Sequence, residues 1–243
     1  MRFLAMVLLL LFSCSPVFAF QNEPDGFQGL KLNSSFEEVK SSELLCDKNY
    51  GEDEKEVDTY DLDLDLSNEY SVRLDEYYFD LDEQLQSLHG VPFKVLYFDF
   101  YKDKLYCITV CLGQAVVRTE DDKKLNMFYF RELQRNFTEL YGSPTSTYPE
   151  QLEANDSYTR LQWEGDKAII SLRWIHDFPQ LTITSVSLQN EIKEDINEMK
   201  IRHEVSELVK RLYTEQKMFK IKSVEIIGIG NCEDKGSTKS KEA

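Results

Sequence analysis

Histidine is scarce in this chain: His89, His176 and His203 are the only three among 243 residues. Imidazole chemistry therefore has few places to stand. Only His176-Asp177 sets a base beside a carboxylate. Neighbours in an extended segment point to opposite faces, so the two would not orient one another. Gly-x-Ser-x-Gly and His-Glu-x-x-His are both missing, and no glycine-rich loop is present to cradle a phosphate. Long apolar runs are missing too. After the first twenty residues no stretch approaches the roughly 20 apolar residues that span a bilayer. Basic residues are outnumbered, 28 against 44 acidic, for a net charge of −16. So acidic a chain is repelled by nucleic acid and by anionic membrane surfaces, and no nucleic-acid partner is expected.

What is present begins at the first residue. Arg2 precedes an apolar run from Phe3 to Phe12, followed by Ser13-Cys14-Ser15-Pro16 and Val17-Phe18-Ala19. A basic start, an apolar middle of about ten residues and a small-residue exit have the layout of a secretory signal, with cleavage after Ala19. The run is too short for a transmembrane helix. The reading is of an exported protein, periplasmic or secreted. A competing one takes Leu11-Phe12-Ser13-Cys14 as a lipoprotein signal, with Cys14 lipidated and the chain anchored in the envelope. Loss of Arg2 with the signal would leave a net charge of −17.

Cys46, Cys107, Cys111 and Cys232 remain after such a cleavage. An even number in an exported chain allows two disulfides. Cys107 and Cys111 sit in Tyr106-Cys107-Ile108-Thr109-Val110-Cys111, which reads as a strand. Four residues of strand cover about 13 Å, whereas a disulfide needs Cα atoms within roughly 7 Å. These two are thus not expected to pair with each other or to share a zinc ion. Cys46 with one and Cys232 with the other is the remaining pattern; buried free thiols are the alternative.

Ser35-Phe36-Glu37-Glu38 is a capping box that opens a short helix with Phe36, Val39 and Leu44 on its apolar face. Gly51 to Glu56 reads as a charged loop. Val57 to Leu66 alternates, with Asp61, Asp63 and Asp65 on one face and leucines on the other, as a half-buried strand does. Val95 to Phe100 and Leu105 to Leu112 form a hairpin that turns at Tyr101 to Lys104. A second helix carries Phe130, Leu133, Phe137 and Leu140 on one face, has Asp121 or Asp122 near its N-cap, and stops at Gly142-Ser143-Pro144. Tyr158 to Glu164, Lys167 to Ile175 and Leu181 to Leu188 come next as an antiparallel meander.

The fold class expected is α+β: two helix-then-antiparallel-sheet units related as a degenerate internal repeat, plus a long C-terminal helix. The divisions are 1–19 as signal, 20–120 and 121–189 as the two units, 190–230 as C-terminal helix and short strand, and 231–243 as a polar, disordered tail. The long helix, about Glu191 to Tyr213, carries two apolar stripes. Ile192, Ile196 and Met199 form one. Ile201, Val205, Leu208 and Leu212 form the other, which at about 100° per residue lies on the opposite side. Either the helix breaks near Lys200, or its second half meets a partner. Val224 to Ile229 reads as a last short strand.

The acidic motifs are unspecific. Asp61-x-Asp63-x-Asp65 lacks the Gly and Glu of a calcium loop, since Leu66 and Val72 stand there. Glu52, Asp53, Glu54 and Glu56 would be loop carboxylates; paired acids of this kind can run glycoside hydrolysis. No metal or cofactor is expected.

Gly29-Leu30-Lys31-Leu32-Asn33-Ser34-Ser35-Phe36-Glu37-Glu38-Val39, together with Leu140-Tyr141-Gly142-Ser143-Pro144 after the second helix, resembles small bacterial envelope modules. SmpA/BamE-like outer-membrane lipoproteins and β-lactamase-inhibitory-protein-like modules are the nearest. The resemblance implies helices paired with a small antiparallel sheet and a role in binding other proteins. It implies no functional residue. The expectation is a non-catalytic exported protein that binds another envelope or secreted protein through Ile201, Val205, Leu208 and Leu212. Alternatives are an envelope hydrolase with paired carboxylates, and a binder of a small apolar ligand or lipid beside Phe98, Phe100 and Phe130.

Overall fold

The structure is a computed structural model that describes residues 22–45, 48–58, 62, 70–81, 86–113, 117–152, 156–175 and 177–230. The segment 1–21, which carries the expected signal and Cys14, lies outside the described residues, as do 231–243. The chain divides into two compact units, one through Lys193 and one from Glu194 onward.

The first unit is built on one antiparallel sheet. A small ribbon of β1 (Gly26–Phe27) and β2 (Leu30–Lys31) leads into α1 (Phe36–Lys40). Ser35 caps α1: its hydroxyl accepts from the Glu38 amide, and the Glu38 carboxylate accepts from the Ser35 amide at 2.8 Å. This is the capping box that the sequence predicts. Asn33 donates its amide to Leu105 O, and Leu105 returns its own to Ser34 O, which pins the start of α1 to the sheet.

Four strands come after α1 in the main path: β3 (Tyr50–Asp58), β4 (Ser71–Asp80), β6 (Val91–Tyr101) and β7 (Lys104–Leu112). The short β5 (Gln86–Leu88) pairs with β6 at its side. Then come α2 (Glu120–Tyr141) and four more strands: β8 (Ser146–Leu152), β9 (Asp156–Glu164), β10 (Ala168–Ile175) and β11 (Phe178–Ser185). The spatial order is β3-β4-β6-β7-β11-β10-β9-β8, and every pairing is antiparallel. The two meanders therefore join edge to edge through β7 and β11 into a single sheet, where the sequence suggested two.

One face of the sheet is the core. Phe79, Leu96, Phe98, Phe100, Ile108 and Val110 alternate inward, and Leu161, Trp163, Ile170, Leu172, Leu181 and Ile183 do the same in the second meander. Phe130, Leu133 and Phe137 of α2 cover this face. Leu140, the fourth residue assigned to that helix face, is exposed. Thr119, just ahead of the residues suggested by sequence, is the N-cap, and Asp122 closes its capping box. Gly142 ends α2 with φ 88°, a conformation that a side chain disfavours. Its carbonyl accepts from Trp163 Nε1 at 2.9 Å, tying the helix end to the core.

Gly51 to Glu56, expected as a loop, is instead the centre of the edge strand β3, paired in register with β4. A strand polar on both faces carries no hydrophobic alternation to announce it. Of Val57 to Leu66, only Val57 and Asp58 belong to a described strand, and the buried Leu62 lies in a turn. Leu181 to Leu188 ends as a strand at Ser185. Ser185 Oγ accepts from the Leu188 amide at 3.3 Å and so starts α3 (Val186–Gly230). Helix α3 is continuous over 45 residues, so there is no break near Lys200 and no strand at Val224 to Ile229. An Ile- and Val-rich run favours a strand only when a sheet edge receives it.

Candidate functional site

The face of the sheet opposite α2 forms a concave cleft of about 540 Å³. Sheet register dictates its chemistry, because side chains directly opposite on neighbouring strands share a face. One row runs Asp53, Glu76, Asp99, Cys107, Thr184 across β3, β4, β6, β7 and β11. Another runs Cys111, Gln180, Arg173, Arg160 across β7, β11, β10 and β9. Acids thus gather toward β4 and β6 and guanidinium groups toward β9 and β10, with thiols and hydroxyls between them.

The acidic end is tightly built. Lys55 Nζ lies 3.2 Å from Asp99 Oδ2, and the Asp99 side chain is almost wholly buried. Asp99 Oδ1 is also buried and accepts no hydrogen bond among the described residues. Burial raises the Glu76 carboxyl above the ordinary carboxylate range, and the Asp99 charge adds to this against the opposing pull of Lys55. For Lys55, burial favours the neutral amine, but the Asp99 carboxylate and smaller contributions from Cys107 and Glu76 outweigh it, so its pKa is raised.

The β-bulge beside this group has a structural part in it. Between Asp99↔Cys107 and Phe100↔Leu105 the register shifts, leaving Tyr106 as the extra residue of β7. Leu105 can then face the core while Cys107 faces the cleft. Burial, reinforced by Asp99, pushes the Cys107 thiol up to about 11. Thr184 Oγ1 donates to its sulfur at 3.5 Å. Burial raises Cys111 as well. Among the described residues neither sulfur is bonded to another, and Cys46 and Cys232, the partners expected for them, lie outside the described residues.

The second candidate surface is on α3. Ile201, Val205, Leu208 and Leu212 are 59%, 54%, 57% and 52% exposed, and Val209 and Tyr213 extend the same face in the open. In contrast Leu188, Ile192 and Ile196, earlier on the helix, are buried.

Other sequence candidates fare differently. Glu52, Asp53, Glu54 and Glu56 lie on β3, where Arg73 pairs with Glu54 at 3.0 Å. Asp61, Asp63, Asp65 and His176 are outside the described residues. Phe98, Phe100 and Phe130 are packed in the main core. Among the described residues no group of three metal-ligating side chains converges, and no helix is long and apolar enough to cross a membrane. Sequence reading missed Lys55, Glu76, Asp99 and Arg160 because they come together only through the register of separate strands. A comparison with known protein families, with curated proteins and with solved structures finds no match.

Proposed function

We propose that this is a non-catalytic exported protein whose work is to bind another envelope or secreted protein, with the C-terminal helix as the docking element. The observation that carries the reading is the apolar face from Ile201 to Tyr213, six large side chains each more than half exposed. Contiguous apolar surface of this kind marks an interaction site. A single amphipathic helix draws most of its stability from packing that face. The secretory layout of residues 1–19 supports the compartment. The order helix, four-stranded meander, helix, four-stranded meander supports a degenerate internal repeat as the origin of the sheet unit.

The test compares the full chain with its Leu208→Glu variant as baits in extract of the native envelope. A specific companion should be retained by the first and lost by the second, with both proteins melting alike. Equal retention would sink the reading.

A second reading, a hydrolase using paired carboxylates, is favoured by one observation: Glu76 and Asp99 meet in a cleft with one of them pushed toward its neutral form. That is the division of labour an acid and its partner carboxylate need. Hydrolysis of envelope polysaccharide by the purified chain, lost in Glu76→Gln, would carry it; no turnover by the wild-type chain would remove it.

A further inference from the structure

We infer that the exposed face of α3 takes a second copy of this chain, the two helices packing antiparallel about a point between Ser206 and Glu207. The inference rests on the proposed docking role of this helix and narrows it: the exported protein that this face binds is a second molecule of the same chain.

Three observations lead to it. First, the spacing Ile201, Val205, Leu208, Leu212 runs in steps of four, three and four. Those are the steps of a coiled-coil seam, here over four positions filled by β-branched and leucine side chains. Such a seam is most fully covered by another of its own kind, and all four residues stand in the open.

Second, charge along the segment is split. Residues 194–207 hold five acids and two bases, whereas 208–217 hold three bases and one acid. A parallel pair would lay acid on acid and base on base. An antiparallel pair lays each half on its complement. The segment as a whole is nearly neutral within a chain of net charge −16, so two copies approach here without the repulsion they meet elsewhere.

Third, the flanking charges have a vacancy of the right sign. Arg202 is engaged by Glu198 at 2.9 Å and Lys210 by Glu207 at 2.7 Å, both within one helix. Glu204 forms no ion pair among the described residues, and Arg211 feels Glu207 only at longer range, that carboxylate being bound by Lys210. With Val205 set against Leu208 of the second copy and Ile201 against Leu212, Glu204 falls beside Arg211 of that copy, and symmetry makes the pair twice. These are the flanking positions that choose orientation in coiled coils.

Sedimentation equilibrium on the full chain tests this. A reversible monomer–dimer equilibrium in the micromolar range is expected. Leu208→Glu should abolish it without altering the melting of the sheet unit. Glu204→Arg should weaken the dimer by about tenfold, through two lost pairs and new repulsion. The double variant Glu204→Arg/Arg211→Glu should return it to near the wild-type constant, because the swap rebuilds both pairs in the reverse sense.

A chain that stays monomeric while Leu208→Glu still loses an envelope companion overturns the inference and leaves the docking role standing. A dimer whose two charge changes simply add overturns the antiparallel arrangement. If wild type and Leu208→Glu differ neither in self-association nor in companion capture, the docking role itself is overturned. Binding to anionic phospholipid vesicles by a monomeric chain assigns the face to a lipid surface and likewise overturns the inference.

Discussion

Asp99 and Cys107 sit opposite one another on β6 and β7, and their burial sets what each can do. The ordinary thiol range lies near 9, and Cys107 is pushed to about 11. A raised thiol is neutral and unreactive at pH 8. Alkylation of the native protein by iodoacetamide should spare Cys107, and denaturant should expose it; mass spectrometry of the labelled peptide reads the result. The neutral thiol's contribution to stability is full below pH 9 and is lost as pH rises through about 11. Glu76 follows the same sign. Its neutral form is favoured in the fold, so that contribution is present below the ordinary carboxylate value and fades as pH rises through the raised one. Lys55→Met should leave the Asp99 carboxylate buried without its cation. We expect a loss of about 1–2 kcal/mol in urea unfolding, less than for a fully buried pair because Lys55 is half exposed. Lys55→Met/Asp99→Leu should recover most of it.

At the scale of the element, α2 is the lid of the core, and its start is a local device. Thr119→Ala removes the hydroxyl that accepts from the Asp122 amide at 3.1 Å. The cost should be about 1 kcal/mol in thermal unfolding, with the folded structure unchanged. Asp122 is held below the ordinary Asp value by the Arg118 backbone amide first and by Thr119 as well. This contribution is present above pH 4 and is lost as pH falls through the depressed value. Capping, turn and alternation were legible in the sequence at this scale. The box at Ser35, the hairpin of β6 and β7, the apolar face of α2 and the stop at Gly142 each depend on residues within a few positions of one another. Strand β3 was not legible, because its pairing with β4 comes from register and not from its own pattern. The end of α3 misled for the same reason in reverse. Its branched residues suit a strand, but the helical ladder arriving from Val186 continues through them.

For the whole molecule, the boundary between Lys193 and Glu194 divides the unit built on the sheet from the unit that begins within α3. Leu188, Ile192 and Ile196 are buried, so a truncation before Glu191 would remove core along with the docking face. A chain ending at Lys200 keeps all three. It should unfold in one cooperative transition near the wild-type temperature by circular dichroism, and it should bind no companion. A collapsed transition would show that the helix beyond Lys200 is needed for the fold.

By itself the sequence determined the α+β class, the capping box at Ser35, the meanders, and the two opposed stripes of the last helix. All of these come from periodicities within a turn or a strand, and near neighbours are enough to read them. Only the tertiary structure decided that the two meanders share one sheet, and that Lys55, Glu76, Asp99 and Cys107 meet on its polar face. It also decided that Ile192 is covered while Ile201 is open. The reason is register. A strand's period tells which side chains share a face, but it leaves undetermined which strand comes alongside and at what offset. One step of slip would have put Asp99 in the apolar core and Phe98 in the cleft.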